Sequence, residues 1–365
     1  MTDVEAVPGV GPAAAKKLRT AFVTTAEILS VQNPLELEAR VKLGEATVRK
    51  LIRAAREHTG KFGFRSGIQL EQEQAQIPRL SFGVSSIDDK IMGGLEAGSI
   101  IEFYGGYSSG KTQWCHHLAV RAQLPKNQGG LEGRVLWLDS EASFKTNTIR
   151  ANAIRWRLDP DVTLGNINVA PMALSSQIEE TFEQIQLMLA EGDYKMLVID
   201  SLTGLFRQEY KGIGTLATRQ QTINGLLNQM RRIGLATEAV FVYTNQVTVQ
   251  ISNYGSNLYA PAGGHVVSHA SDYRFYVGKG QKGKRKVSLK DNAGVPEFSV
   301  ECHLGWGGLY REASEKKEME SLIRERLGPL SESDTDEEKP TKKGSKKGKK
   351  TKDRELEEEM EELQG

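Results

Sequence analysis

GGYSSGKTQWCHHL, residues 105–118, is the stretch on which the reading turns. Within it, Gly105-x-x-x-x-Gly110-Lys111-Thr112 has the spacing of a P-loop. It follows the apolar run SIIEFY and opens the helical pattern KTQWCHHLAVRAQ, the strand–loop–helix context that the motif requires. Glycines let the backbone curl until its N–H groups face a β-phosphate. Lys111 then reaches the β- and γ-phosphates, and the Thr112 hydroxyl is a ligand for Mg²⁺. The expected nucleotide contacts are Gly105, Gly106, Tyr107, Ser108, Ser109, Gly110, Lys111, Thr112 and Gln113. The expected cofactors are ATP and Mg²⁺.

Three strand ends complete such a site. KMLVIDS (195–201) places Asp200 after four apolar residues, at the carboxyl end of a strand, where ligands bind in open α/β sheets. Asp200 reads as a metal ligand through water; a strand-end aspartate capping the next turn is the plain alternative. VLWLDSEASF (135–144) carries Asp139 and Glu141, and Glu141 is placed to orient and deprotonate an attacking water. AVFVYTNQV (239–247) ends in Asn245-Gln246, amides able to bond a γ-phosphate and report its loss. The chain beyond, VTVQISNYGSNLYAPAGGH (247–265), reads as a long polar loop.

Working outward, strands are expected at 99–104, 134–139, 196–200, 239–244, 272–277, 286–290 and 297–303. Helices are expected at 111–123, 146–157, 175–191, 215–234 and 264–270. The alternation predicts an α/β fold, a twisted and mainly parallel sheet that ends in antiparallel hairpins. This core spans 83–312. Residues 1–60 form short helices around Val7-Pro8-Gly9-Val10-Gly11-Pro12. There, Gly9 and Gly11 expose N–H groups at a helix start, either as a DNA-binding helix-hairpin-helix or as a plain helical connection. Residues 61–82 read as a linker with two aromatics, Phe62 and Phe64, that suit docking. Residues 313–365 are charged throughout, too polar to build a core, and are expected to be a disordered tail.

Composition narrows the classes. The 365 residues carry a net charge of +1, so any nucleic-acid signal is local. Two cysteines, Cys115 and Cys302, with no CxxC, argue against zinc or a disulfide framework and suit a reducing, cytoplasmic setting. No apolar run is long enough to span a membrane.

From about 80 to 311 the sequence resembles the RecA-type recombinases, most closely the archaeal RadA branch shared with the eukaryotic strand-exchange enzymes. GGYSSGKTQ (105–113), LDSEASF (138–144), LVIDSLTGLFRQEYKGIGTLATRQQ (197–221), TNQV (244–247) and PAGGHVVSHASDYRFYVGKGQKGKR (261–285) carry the likeness. The resemblance implies a RecA-type ATPase core behind a helix-hairpin-helix domain. It implies ATP-dependent helical filaments on single-stranded DNA that pair and exchange strands with double-stranded DNA. It further implies self-assembly into a filament or ring, and mediator proteins as partners. Lys111, Glu141 and Gln246 match its catalytic positions, and Thr112 and Asp200 its metal positions. Asp291 and Pro296 match a cap closing over a neighbour's ATP. Residues 208–219 match the first DNA loop and 247–264 the second. Arg207, Arg219, Val247, Val249, Gln250, Gly263 and Gly264 stand as DNA contacts, and Phe64 with Gly67 as the subunit-interface motif. Departures are Gly67 for the motif's alanine, Ile213 for a loop arginine, Pro171 after Ala170, and Lys145 for arginine. They leave an accessory or regulatory recombinase as the alternative.

Overall fold

In the computed structural model, residues 1–210, 212–251, 257–261 and 270–328 are described. Strands rich in Ile, Val, Phe and Tyr take the centre because both of their faces are covered. The strands are β1 Arg79–Leu80, β2 Leu95–Glu96, β3 Ile100–Gly105, β4 Arg134–Asp139, β5 Ile167–Pro171, β6 Tyr194–Asp200, β7 Val240–Ile251, β8 Asn257–Pro261, β9 Tyr273–Lys279, β10 Arg285–Asp291, β11 Phe298–Gly305 and β12 Gly308–Tyr310. β1 and β2 pair by themselves. The main sheet runs β12-β11-β10-β9-β3-β7-β6-β4-β5, with β8 on the extension of β7. The pairs among β9, β3, β7, β6, β4 and β5 are parallel; β9–β10, β10–β11, β11–β12 and β7–β8 are antiparallel. Every residue of β3 is buried.

The helices are α1 Pro12–Thr20, α2 Ala26–Ser30, α3 Pro34–Val41, α4 Glu45–Thr59, α5 Gly67–Ala75, α6 Ser85–Asp88, α7 Lys111–Arg121, α8 Thr146–Arg155, α9 Pro160–Gly165, α10 Ser175–Ala190, α11 Leu202–Glu209, α12 Leu216–Thr237 and α13 Ala313–Leu327. One face of the sheet carries an aromatic core of Phe82, Phe103, Trp114, Trp137 and Phe275. The other is packed by Phe182, Phe206, Phe241 and Tyr243. Residues 1–59 form their own apolar cluster, which takes in Ala190 and Ala236 from α10 and α12. Polar contacts join the two parts: Arg40 Nε to Glu183 at 2.8 Å, Arg232 Nη2 to Glu36 at 2.9 Å, and Gln32 Nε2 to Gln186 Oε1 at 3.2 Å.

Three sequence expectations are corrected. The segment read as a linker contains α5, started by a capping box in which Ser66 Oγ accepts from Gln69 N and Gln69 Oε1 accepts from Ser66 N. No residue of α5 is buried, which is why no apolar periodicity announced it. The long loop after Gln246 begins as strand, since β7 continues to Ile251 and pairs with β8; its Val-Thr-Val alternation is a strand signal masked by polar neighbours. The charged tail begins later than 313: α13 buries Ile323 completely against Ala151 and Ile154, and Arg155 bonds Glu315 at 2.9 Å. One buried isoleucine per four turns is too sparse a pattern to stand out among charges. The short strands β1, β2, β5, β8 and β12 leave no clear period-2 signal in the sequence. Residues 264–269 of the helix expected at 264–270, and the tail from 329 onward, lie outside the described residues.

Candidate nucleotide site

β3 ends under the P-loop, and packing there explains the glycines. A Cβ at Gly105 would lie 2.1 Å from the Val277 carbonyl oxygen. Gly110, the residue before α7, has φ +97°, a left-handed conformation that favours glycine. A Cβ at Gly106 would meet nothing, so this side of the turn is an open cradle. Lys111 Nζ, at the first position of α7, donates to the carbonyls of Gly105 and Gly106 at 3.1 Å each. Tyr107, at the crest, is fully exposed.

Asp200 ends β6 and is 1% exposed. Its Oδ2 accepts from Thr112 Oγ1 at 2.8 Å and from Ser143 Oγ at 2.6 Å, and Oδ1 accepts from Thr244 Oγ1. Burial pushes this carboxyl above its ordinary range, and the three hydroxyl bonds oppose that. A buried carboxylate ringed by hydroxyls fits a hard divalent cation. Ser109 Oγ, inside the P-loop, is buried without a hydrogen-bond partner among the described residues and could donate to a phosphate oxygen. No cluster of three or more His, Cys, Asp or Glu placed for a metal exists among the described residues. Mg²⁺ commonly takes one carboxylate plus substrate phosphates. Thr112 and Asp200 are the residues that would hold it.

Glu141 follows β4 on a turn fixed by Asp139, whose carboxylate accepts from the backbone N–H groups of Glu141, Ser143 and Phe144 at 3.0–3.3 Å. Glu141 Oε1 accepts from Ser201 Oγ at 2.6 Å and from Gln246 Nε2 at 3.4 Å. Gln246 Oε1 in turn accepts from Arg207 Nη1 at 2.9 Å. Ser140, Glu141, Gly204, Arg207, Gln208 and Gln246 line one cavity of ≈ 540 Å³. Of the two amides that end the TNQ run, only Gln246 faces it. Asn245 is fully buried, donating to Glu102 Oε1 at 2.7 Å and accepting from Thr203 Oγ1 at 2.6 Å. Glu102, also fully buried, accepts from Arg274 Nε at 2.8 Å. Burial pushes its carboxyl up, and Arg274 opposes the shift.

Lys111, Thr112, Asp200, Glu141 and Gln246 therefore converge in space. Asp291 and Pro296 do not join them. β10 is antiparallel to β9 and ends at Asp291, so the segment leaves the sheet at the end where β3 begins. Asp291 lies 4.0 Å from Arg274 there. Arg207 sits on α11, beside the cavity. Arg219 lies in the first turn of α12 and Val247 on β7 just past Gln246; Val249 and Gln250 follow on the same strand. Gly263 and Gly264 lie outside the described residues. Gly9 adopts φ +88° before α1, and Gly11 is the residue preceding that helix. Phe64 is fully exposed, and Gly67 opens α5. Ser143, Ser201 and Thr244 were missed as site residues. Only their adjacency to Glu141, Asp200 and Gln246 could have suggested them.

A family model described as Rad51 matches residues 73–310, more than half of the chain. The chain belongs to the Rad51 family. A second family model, the SAM-like helix-hairpin-helix tandem, matches residues 1–57. The chain is 38% identical over 310 residues to the DNA repair and recombination protein RadA of Methanocorpusculum labreanum, covering 81% of this chain and 94% of the relative. It is 34% identical over 312 residues to the protein of the same name from Cenarchaeum symbiosum, covering 84% and 78%. Rad51-family membership agrees with the α/β sheet and the site at its strand ends. No described helix is long and apolar enough to cross a membrane.

Proposed function

We propose that this chain is an ATP-dependent DNA recombinase, which assembles on single-stranded DNA and exchanges strands with a homologous duplex. The observation that carries the reading is the convergence of a phosphate cradle, a buried acid beside Thr112, and Glu141 joined to Gln246, in a chain that opens with a helix-hairpin-helix domain. Curated relatives bear the name DNA repair and recombination protein RadA.

Lys111 and the P-loop N–H groups neutralise and orient the phosphates. Mg²⁺, when bound, adds charge neutralisation on the phosphate oxygens. Glu141, its Oε1 fixed by Ser201, takes the proton of the attacking water. Gln246 meets the γ-phosphate and carries its presence into the strand beyond Val247, a contact surface for DNA together with Arg207 and Arg219. Asp291 and Pro296, remote from the P-loop of their own chain, complete the site of a second copy, and Phe64 docks the copies together. Recognition is independent of sequence, because base pairing between strands reads homology. Mediator proteins that load or remodel the assembly are expected partners. Ile213, where the branch carries an arginine, favours the second reading, an accessory family member with weaker DNA contact.

Single-turnover ATP hydrolysis tests the site. Lys111→Ala should lose nucleotide affinity. Glu141→Gln should keep affinity and lose turnover by about 10²-fold or more, the scale of positioned proton transfer. Hydrolysis by Glu141→Gln at the parent rate removes Glu141 from the mechanism. Strand exchange by the purified protein separates recombinase from accessory factor.

A further inference from the structure

Resting on that reading, we infer that Arg207 is a positioning residue that restrains the Gln246 carboxamide against Glu141 until a nucleic-acid phosphate takes the guanidinium away. The contacts form one line: Arg207 Nη1 donates to Gln246 Oε1 at 2.9 Å, Gln246 Nε2 donates to Glu141 Oε1 at 3.4 Å, and Ser201 Oγ donates to the same oxygen at 2.6 Å. Both ends of the Gln246 amide are thus committed inside the chain, the acceptor to Arg207 and the donor to Glu141. An amide so held must break one of these contacts before it can bond a γ-phosphate. Its strongest tie is the charge-assisted bond from Arg207.

The helix that carries Arg207 holds it between the nucleotide site and the DNA side. α11 runs from Leu202, capped by Ser201 beside Asp200, to Glu209, within the segment proposed as the first DNA loop. Its far end is pinned: Glu209 Oε1 accepts from Ser175 N at 2.6 Å, Glu209 Oε2 accepts from Ser175 Oγ, and Phe206 stacks on Tyr210 with ring centroids 6.1 Å apart. Arg207, two residues before that pinned end, is only partly buried and shares the open cavity with Glu141 and Gln246. A phosphate entering on the loop side meets the guanidinium first and offers it a bidentate partner, better than one amide oxygen. Gln246 is then free to turn toward the nucleotide, and Glu141 keeps Ser201 as its anchor.

The test compares ATP turnover by the full-length protein with and without a single-stranded thymidine oligonucleotide. Arg207→Ala should raise the DNA-free rate about tenfold, the ratio set by losing one charge-assisted restraint, and should shrink the stimulation by DNA accordingly. Gln246→Ala combined with Arg207→Ala should match Gln246→Ala alone in the DNA-free rate, because the restraint has nothing left to hold. Arg207→Lys, which keeps the charge but lacks the planar fork, should fall between parent and Arg207→Ala; it carries the test if the alanine variant does not fold. A DNA-free rate of Arg207→Ala that is unchanged, with only the half-saturating DNA concentration shifted, reduces Arg207 to a phosphate contact and overturns the inference. A DNA-free rate that falls makes Arg207 a support of the active arrangement and overturns it too. A parent protein whose turnover ignores DNA sinks the recombinase reading itself, a result distinguishable from failure of the restraint alone.

Discussion

Removing Arg274 strands a carboxylate in the middle of the sheet. Glu102 is 0% exposed on β3, and its two oxygens are shared between Arg274 Nε at 2.8 Å and Asn245 Nδ2 at 2.7 Å. In Arg274→Ala the Asn245 bond remains, but the charge loses its counter-ion. Breaking one partner of a buried pair costs about 3–5 kcal/mol, a large part of the ~5–15 kcal/mol by which a domain is stable. The cost has a pH signature. Burial already holds the Glu102 carboxyl above its ordinary 4.5, and Arg274 opposes that shift, so the variant's carboxyl rises further. A group whose folded-state pKa is raised contributes stability below its unfolded value and loses it as pH rises through the folded value. Arg274→Ala should therefore be least stable near pH 8 and recover steadily toward pH 5. Urea unfolding followed by the fluorescence of Trp114 and Trp137, in the aromatic core on the other face of β3, reads the global stability. Adding Glu102→Gln should restore most of the loss at pH 8, because the glutamine keeps an acceptor for Asn245 and carries no charge. A penalty equal at pH 5 and pH 8, and untouched by Glu102→Gln, would falsify the argument that an unpaired buried charge is the cause.

Ile323→Ala should free α13 at a cost of about 2–3 kcal/mol, since its anchor sits in a small satellite cluster that can partly collapse. Faster tryptic cleavage at Lys316–Arg326, with ATP turnover kept, is the expected readout. Phe64→Glu should abolish self-association in gel filtration and leave the thermal midpoint unchanged, because the ring touches no core of its own chain; a lowered midpoint would assign it to intramolecular packing. Gly67→Ala should tighten assembly, since its Cβ meets nothing within 4 Å and alanine favours the helix it begins. Burial lowers both His116 and His117 to about 3, so stability present above pH 6.5 should drain away as pH falls toward 3, by at most ~1.4 kcal/mol per pH unit for each ring. His117→Gln should make that acid loss shallower.

The phosphate cradle was legible because its chemistry dictates local sequence: a strand, two glycines, a lysine and a hydroxyl must follow in order. Asp200, Glu141 and Gln246 were legible for a related reason, since each closes an apolar run at the same end of the sheet. Glu102 was not. A glutamate inside IIEFY looks like a solvent-facing break in a strand, and only the register that sets Arg274 opposite it reveals a buried pair. Ser201 was hidden the same way, because its bond to Glu141 crosses between β4 and β6 and leaves no spacing to read. α5 and α13 escaped because the usual signal, an apolar stripe, is absent from one and reduced to Ile323 in the other. The extension of β7 past Gln246 reads as loop from its polar residues, while backbone pairing with β8 decides otherwise.

The P-loop and the Asp291 segment leave the sheet at opposite ends. In the proposed assembly this makes every contact heterologous, the front of one subunit against the back of the next, so no pair can close on itself by a two-fold axis. A linear stack of n copies then holds n − 1 finished active sites, and one subunit always carries a bare cradle. Specific activity becomes a function of stack length: near zero for a lone chain, half-maximal for a pair, saturating for long polymers. A ring has no such deficit. Turnover per subunit, followed while the protein is diluted, thus measures the number of ends, and growth must proceed with one terminus chemically unlike the other.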